Sequence, residues 1–134
     1  MVIDTSALLV LLGNEPAAAR FREALEADPT RLVSAATVLE SSLVVESRWG
    51  EAGGRELDLL LFKAGAQLVP FDHEQMELAR EAWRRFGKGR HPAGLNFGDC
   101  SSYALARCSG EPLLFQGNDF SQTDVAAALP ADGP

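Results

Sequence analysis

The apolar positions of this chain fall into brief runs and into longer stretches at helical spacing, and the two kinds alternate from one end to the other. Val2-Ile3 is a brief run that ends at an acid, Asp4, and Thr5-Ser6 leads into the run Ala7 to Leu12. This predicts a buried strand and then a helix. Thr5 or Ser6 is suited to cap that helix by accepting the amide protons its first turn leaves free, and Gly13-Asn14 is suited to stop it. Glu15-Pro16 opens a second predicted helix to about Ala27, ended by Asp28-Pro29.

Arg31 to Ser34 predicts a second strand, and Ala35 to Trp49, with apolar residues at 38, 39, 43, 44 and 45, predicts a helix ending at Gly50. Arg55 to Ala64 supplies another helix, Gly65 the break, and Gln67 to Pro70 a third strand. Asp72 with Gln75 three residues on resembles a capping box for a helix reaching about Phe86. After a glycine-rich basic loop, Phe97 or Gly98 opens a helix that ends near Ser109-Gly110, Leu113 to Phe115 reads as a fourth strand, and a turn with a short last element follows. Short apolar strands without a clean two-residue period, alternating with helices, are what a parallel sheet covered on both faces produces, so the pattern predicts a three-layer α/β fold. Residues 1–134 read as one domain, with Pro130 to Pro134 a frayed end.

Composition narrows the function. With 46% hydrophobic and 23% charged residues the chain has the material for a real core. Its longest apolar runs fall far short of the roughly 20 residues a membrane-spanning helix needs. The start lacks a positive n-region, which makes a cytoplasmic location the expectation. Cys100 and Cys108 lie in one predicted helix, roughly 12 Å apart at about 1.5 Å per residue, too far to bridge. They read as small buried residues in a reducing compartment. A net charge of -7 speaks against a protein that grips nucleic acid through a broad basic surface. It does not speak against one whose acids hold a divalent cation, because the bound ion turns an anionic pocket into one that attracts phosphate.

The placement of the acids favours that second possibility. In open parallel sheets ligands bind beyond the carboxyl ends of the strands. Asp4 ends the first predicted strand, Asp119 lies just past the fourth in Gln116-Gly117-Asn118-Asp119, and Asp99 falls in the first turn of the helix opened by Asn96-Phe97-Gly98. Glu40 is a fourth candidate: helical spacing puts it beside Ala36, Leu43, Val44 and Ser47, small and apolar surroundings in which a carboxylate wants a partner. Taken singly, Asp4 could be a helix cap, Asp99 a dipole-complementing acid, Asp119 a turn residue and Glu40 a solvated one. Taken together they form the hard-oxygen set that magnesium takes. Without an ion such a cluster repels itself and at least one carboxyl pKa rises.

Met1-Val2-Ile3-Asp4-Thr5-Ser6-Ala7-Leu8, the stretch His91 to Cys100 and Leu114-Phe115-Gln116-Gly117-Asn118-Asp119-Phe120 resemble, in order, the opening, the most distinctive segment and the closing motif of the VapC-type PIN-domain ribonucleases. The resemblance implies a PIN fold, a three-layer α/β/α sandwich around a mostly parallel sheet of four to five strands. It also implies Mg2+-dependent RNA cleavage, with Mn2+ as a substitute, and a toxin held in check by a VapB-like antitoxin and working as a homodimer. Asp4, Glu40, Asp99 and Asp119 would then be the catalytic metal ligands. Thr5, Ser6 and Asn118 are candidates to steady them, and Asp124 is a candidate to assist or replace Asp119, or else to cap a helix.

Arg84, Arg85, Lys88, Arg90 and His91 form the one basic stretch, just ahead of the Asn96 to Asp99 segment; they are candidates for RNA phosphate contacts or for a solvated helix end. Trp49, Trp83 and the Leu57 to Phe62 stripe read as core or dimer contacts rather than base-stacking platforms. Three rivals stand beside the ribonuclease. A receiver-like signalling domain would need a lysine late in the sheet, and Lys63 and Lys88 follow no predicted strand. A catalytically silent module binding RNA or protein is at odds with the retained acids. A DNA-directed metal nuclease differs only in its contacts to the sugar.

Overall fold

The computed structural model describes residues 1–130. Its elements are β1 (Val2–Ile3), α1 (Thr5–Leu12), α2 (Ala18–Ala27), β2 (Leu32–Ser34), α3 (Ala35–Lys63), β3 (Gln67–Val69), α4 (His73–Phe86), α5 (Phe97–Ser109) and β4 (Leu113–Leu114), followed by a 3-10 turn at Phe120–Gln122. The four strands form one sheet in the order β3-β2-β1-β4, and every pairing is parallel. Ala127 bridges Leu113 in parallel on the far side of β4, adding a single rung beyond the named strands.

This order explains the layers. The chain steps outward from β1 through β2 to β3 and then returns to the other side of β1, so right-handed crossovers put α1, α2 and α3 on one face and α4 and α5 on the other. Successive strand residues point to opposite faces. Ile3, Val33 and Leu114 accordingly pack with Leu8, Phe21, Val45 and Leu57, whereas Val2 and Leu113 pack with Ala82, Tyr103, Leu105 and Phe120. The three-layer α/β sandwich expected from the sequence is what forms. The reversal of strand order falls at β1 and β4, which makes the carboxyl ends of these two strands the switch-point crevice of the sheet.

Several expected boundaries move. Asp4, not Thr5 or Ser6, caps α1, accepting the Ser6 amide at 3.0 Å, so the helix begins one residue after the strand ends. A turn closed by the Ala18 amide on the Glu15 carbonyl replaces the first turn expected at Glu15-Pro16. The break at Gly50 is a kink and not a gap: Gly50 takes φ 67 and ψ -163, and helical backbone resumes at once. Gly53 explains why the two segments join so closely, since a Cβ there would stand 2.6 Å from the Val45 carbonyl oxygen. Leu57 reaches the core as expected, while Leu59, Phe62, Trp49 and Trp83 are exposed. Cys100 is buried, with burial pushing its thiol up to about 11, but Cys108 is exposed. Residues 131–134 of the expected frayed end lie outside the described residues. Among the described residues no helix is long and apolar enough to cross a membrane.

Candidate metal centre at the switch point

Asp4 sits at the carboxyl end of β1 with 3% of its surface exposed. Its side chain is held by hydroxyls: Ser102 Oγ donates to Oδ1 at 2.5 Å, and Ser6 donates to Oδ2 through both its amide and its Oγ. Burial raises its pKa, while the hydrogen bonds from Ser102, Ser6 and the Thr5 amide pull the other way.

Asp99 arrives from the opposite face of the sheet. Asn96 and Asp99 form a reciprocal capping box, Asn96 Oδ1 accepting the Asp99 amide at 2.9 Å and Asp99 Oδ2 accepting the Asn96 amide at 3.1 Å. That box fixes the first turn of α5 over the sheet edge. Burial pushes the Asp99 carboxyl up to about 7; the Asn96 amide opposes the shift, and the charges of Asp4 and Asp119, with direct contact from the Asp119 carboxyl, add to it. The structure therefore brings Asp4, Asp99 and Asp119 to one place.

Glu40 joins by a different route from the one its sequence neighbours suggested. Leu43 is exposed, and the Glu40 carboxylate turns instead toward α1 and α5. Thr5 Oγ1 donates to Glu40 Oε1 at 2.5 Å, and Ser41 Oγ donates to Thr5 Oγ1 at 3.2 Å. On the other side lies Gly98: a Cβ there would overlap the Glu40 carboxylate. The glycine before Asp99 is thus the space that Glu40 occupies.

Sequence reasoning missed Gly98, Ser102, Thr37 and Ser41. Ser102 and Thr37 share a buried hydrogen bond at 3.3 Å, so a hydroxyl chain backs Asp4 much as Thr5 and Ser41 back Glu40. A signal was present, because Thr37 and Ser41 stand four apart on one face of α3 with Thr37 three before Glu40, and Ser102 follows Asp99 by three, all at buried positions. Ser6 has a further task, since its Oγ accepts the Gln116 amide at 2.9 Å and so ties the loop after β4 to Asp4. Asn118 contributes its carbonyl to Ser121 Oγ at 2.7 Å. Asp124 caps no helix and does not face the other acids: its carboxylate accepts hydrogen bonds from Tyr103, Arg107 and Arg85.

The donor set is hard oxygen throughout, without thiolate or imidazole, which suits magnesium or manganese. Among the described residues no three His, Cys, Asp or Glu stand at coordinating separation as placed. Magnesium keeps several of its waters and is held by one or two direct carboxylates, so Asp4, Asp99 and Asp119 could hold it partly through water.

Of the basic stretch, Arg85 is engaged by Asp124 and Glu81 and lies over the Phe86 ring, and Arg90 stacks on Trp83 at 4.2 Å from the ring centroid. His91 packs edge-on to Phe86 and accepts the Ala93 amide, which shapes the loop into Asn96. Arg84 and Lys88 are exposed.

A parallel sheet with this strand order and a domain model for the PIN domain matching residues 1–126 define the class: the chain belongs to the PIN domain family. Its curated relatives are VapC ribonucleases. It is 59% identical over 131 residues to Ribonuclease VapC30 of Mycobacterium tuberculosis, covering 97% of this chain and 100% of that one. It is 58% identical over 127 residues to Ribonuclease VapC of Mycolicibacterium smegmatis, covering 95% and 98% respectively. Among solved structures it is similar to Mycobacterium tuberculosis VapC20, described as a Sarcin-Ricin loop cleaving toxin, with a TM-score of 0.77 at 17% identity over 96% of this chain and 98% of that one, a likeness of fold.

Proposed function

We propose that the chain is a magnesium-dependent endoribonuclease, the toxin of a VapBC-type toxin-antitoxin pair acting in the cytoplasm. The observation that carries this is the convergence of Asp4, Asp99 and Asp119 on the switch-point crevice, with the Asp99 carboxyl lifted to about 7 by burial and by its acidic neighbours. The relatives' names, ribonucleases, support RNA as the substrate, and the VapB-like antitoxin follows from the family resemblance.

In this reading Asp4, Asp99 and Asp119 hold the ion, directly or through water, with Glu40 beside them. Bound magnesium, or manganese in its place, would supply an activated water and neutralise charge developing on the phosphodiester. The chain's own residues do the placing. Ser102, Ser6 and Thr5 donate hydrogen bonds that keep Asp4 and Glu40 as oriented acceptors, and the capping box keeps Asp99 facing them. Arg84, Lys88 and Arg90 lie on the approach to α5 and would contact RNA phosphates; Arg85 is already occupied by Asp124. Exposed Leu39, Leu43, Phe62, Leu68, Trp83 and Phe97 leave apolar surface for a homodimer contact and for the antitoxin to cover.

The test is incubation of the purified chain with total RNA and with plasmid DNA, in magnesium and in EDTA, beside Asp4→Asn. Discrete RNA products that disappear with EDTA and in the variant, with DNA left intact, are the expected result. RNA left whole by a folded, magnesium-loaded chain would remove the proposal, and cutting of DNA alone would replace its substrate.

A further inference from the structure

Asp119 sits on a loop that leaves β4 at Leu114 and comes back along the same strand, where Leu113 donates to the Ala126 carbonyl and accepts from the Ala128 amide, both at 2.8 Å. The loop is pinned near its start by the Gln116 amide on Ser6 and in its middle by Phe120, which is 2% exposed and packs on Phe115 with ring centroids 5.2 Å apart. Both pins lie at or before Phe120, and Asp119 between them is exposed.

A further anchor lies along α5. Asp99, Tyr103 and Arg107 follow one another at four-residue spacing and form a single stripe of that helix. Asp99 holds the first position of the stripe, and Asp124 meets the other two. Tyr103 Oη donates to Asp124 Oδ1 at 2.6 Å, Arg107 donates to Oδ2 at 3.0 Å, and Arg85 of α4 donates to the same oxygen at 3.3 Å. The loop that carries Asp119 is thus anchored to the helix that carries Asp99. Three donors, two of them cationic, converge on a carboxylate that caps no helix and faces none of the other acids.

We propose that Asp124 is the positioning residue for Asp119: by clamping the loop to Tyr103 and Arg107 on α5 and to Arg85 on α4, it fixes Asp119 relative to Asp99, which α5 also carries. This rests on the reading of Asp4, Asp99 and Asp119 as a divalent-ion site. Arg85, Tyr103 and Arg107 then serve the site through Asp124 and not through RNA.

Calorimetric titration of manganese into the full chain tests it, run on wild type, Asp119→Asn, Asp124→Ala and the double variant, with melting curves to establish that each is folded. Supporting groups around metal ligands affect affinity by about 10- to 100-fold, and a loss near the lower end, about 10-fold, is expected for Asp124→Ala. In the Asp119→Asn background the same substitution should change affinity less than about 2-fold, since a clamp acting through Asp119 has nothing left to position. Asp124→Asn, which can still accept from Tyr103, should fall between wild type and alanine and serves if the alanine variant does not fold. An equal loss with or without Asp119 would show general destabilisation and overturn the clamp. If Asp119→Asn weakens binding while folded Asp124 variants bind as wild type does, the clamp fails and the ion site stands. If the wild type binds no manganese, the ion site fails first and the clamp with it.

Discussion

Asp99 and Asp124 are the same residue type, both tied to α5, and their surroundings push them in opposite directions. Asp99 has Asp4 and Asp119 for company, and its carboxyl is pushed up to about 7. Around Asp124 burial also raises the pKa, but the Tyr103 hydroxyl and the Arg85 and Arg107 guanidinium groups outweigh it and hold the carboxyl below its ordinary value. Asp124 is paired with two of the chain's own cations, whereas Asp99 has acids for neighbours, and it is there that the proposed cation site lies.

The largest effect expected from this contrast is on catalysis. Asp99→Asn should lower the rate of RNA cleavage about 100-fold or more, consistent with loss of a metal-ligand group; a rate within a few-fold of wild type, in a steady-state assay, would place the chemistry elsewhere. Gly98→Ala should cost nearly as much, about 100-fold in kcat/KM, because the added methyl displaces the Glu40 carboxylate from the place Thr5 holds it. Its melting temperature should move far less than its activity, and a variant that melts early and retains full specific activity when folded would contradict that reading.

The same pair of aspartates makes opposite contributions to stability. Because the folded-state pKa of Asp99 is raised, its stability contribution is fully present below the unfolded value near 3.8 and is lost as pH climbs through about 7. Asp124 has a lowered pKa, so its contribution is present above 3.8 and disappears as pH falls through its folded-state value. In EDTA at pH 8, Asp99→Asn should therefore melt higher than wild type and Asp124→Asn lower. Melting curves at pH 5 and pH 8 decide this, and shifts of one sign for both variants would erase the distinction. A smaller effect is expected from Ser102→Ala, which removes a donor from buried Asp4 and should cost about 1–3 kcal/mol of stability in a denaturant titration. Smallest of all, Lys88→Ala should reduce the salt slope of RNA binding by about one ion, measured by filter binding in a non-cleaving background.

What could be seen in the sequence followed from local order. Asp4 announces itself as the acid that ends an apolar strand, Asp99 as the acid in a helix's first turn behind Asn96, and the α/β alternation as the spacing of runs such as Val2-Ile3 and Leu113-Leu114. What could not be seen depends on residues distant in the chain. Glu40 looked like an acid among apolar neighbours because its partner Thr5 and its space at Gly98 belong to other elements. Asp124 looked like a cap or a spare ligand because Tyr103, Arg107 and Arg85 lie 21, 17 and 39 residues away. Gly50 was legible as a break, but the closeness of the two segments depends on Gly53 packing against the Val45 carbonyl. Cys108 and Phe62 show the remaining limit: helical spacing assigns a face, and only the packed fold says whether anything covers it.

The most direct test of the acid cluster as a cation site is the rise in melting temperature that magnesium produces at pH 8 in metal-stripped wild type, Asp99→Asn and Asp124→Asn. The account predicts a clear rise for wild type, little or none for Asp99→Asn, and a reduced one for Asp124→Asn. Equal rises in wild type and Asp99→Asn would mean that magnesium binds somewhere other than the switch point, and the central claim would not survive.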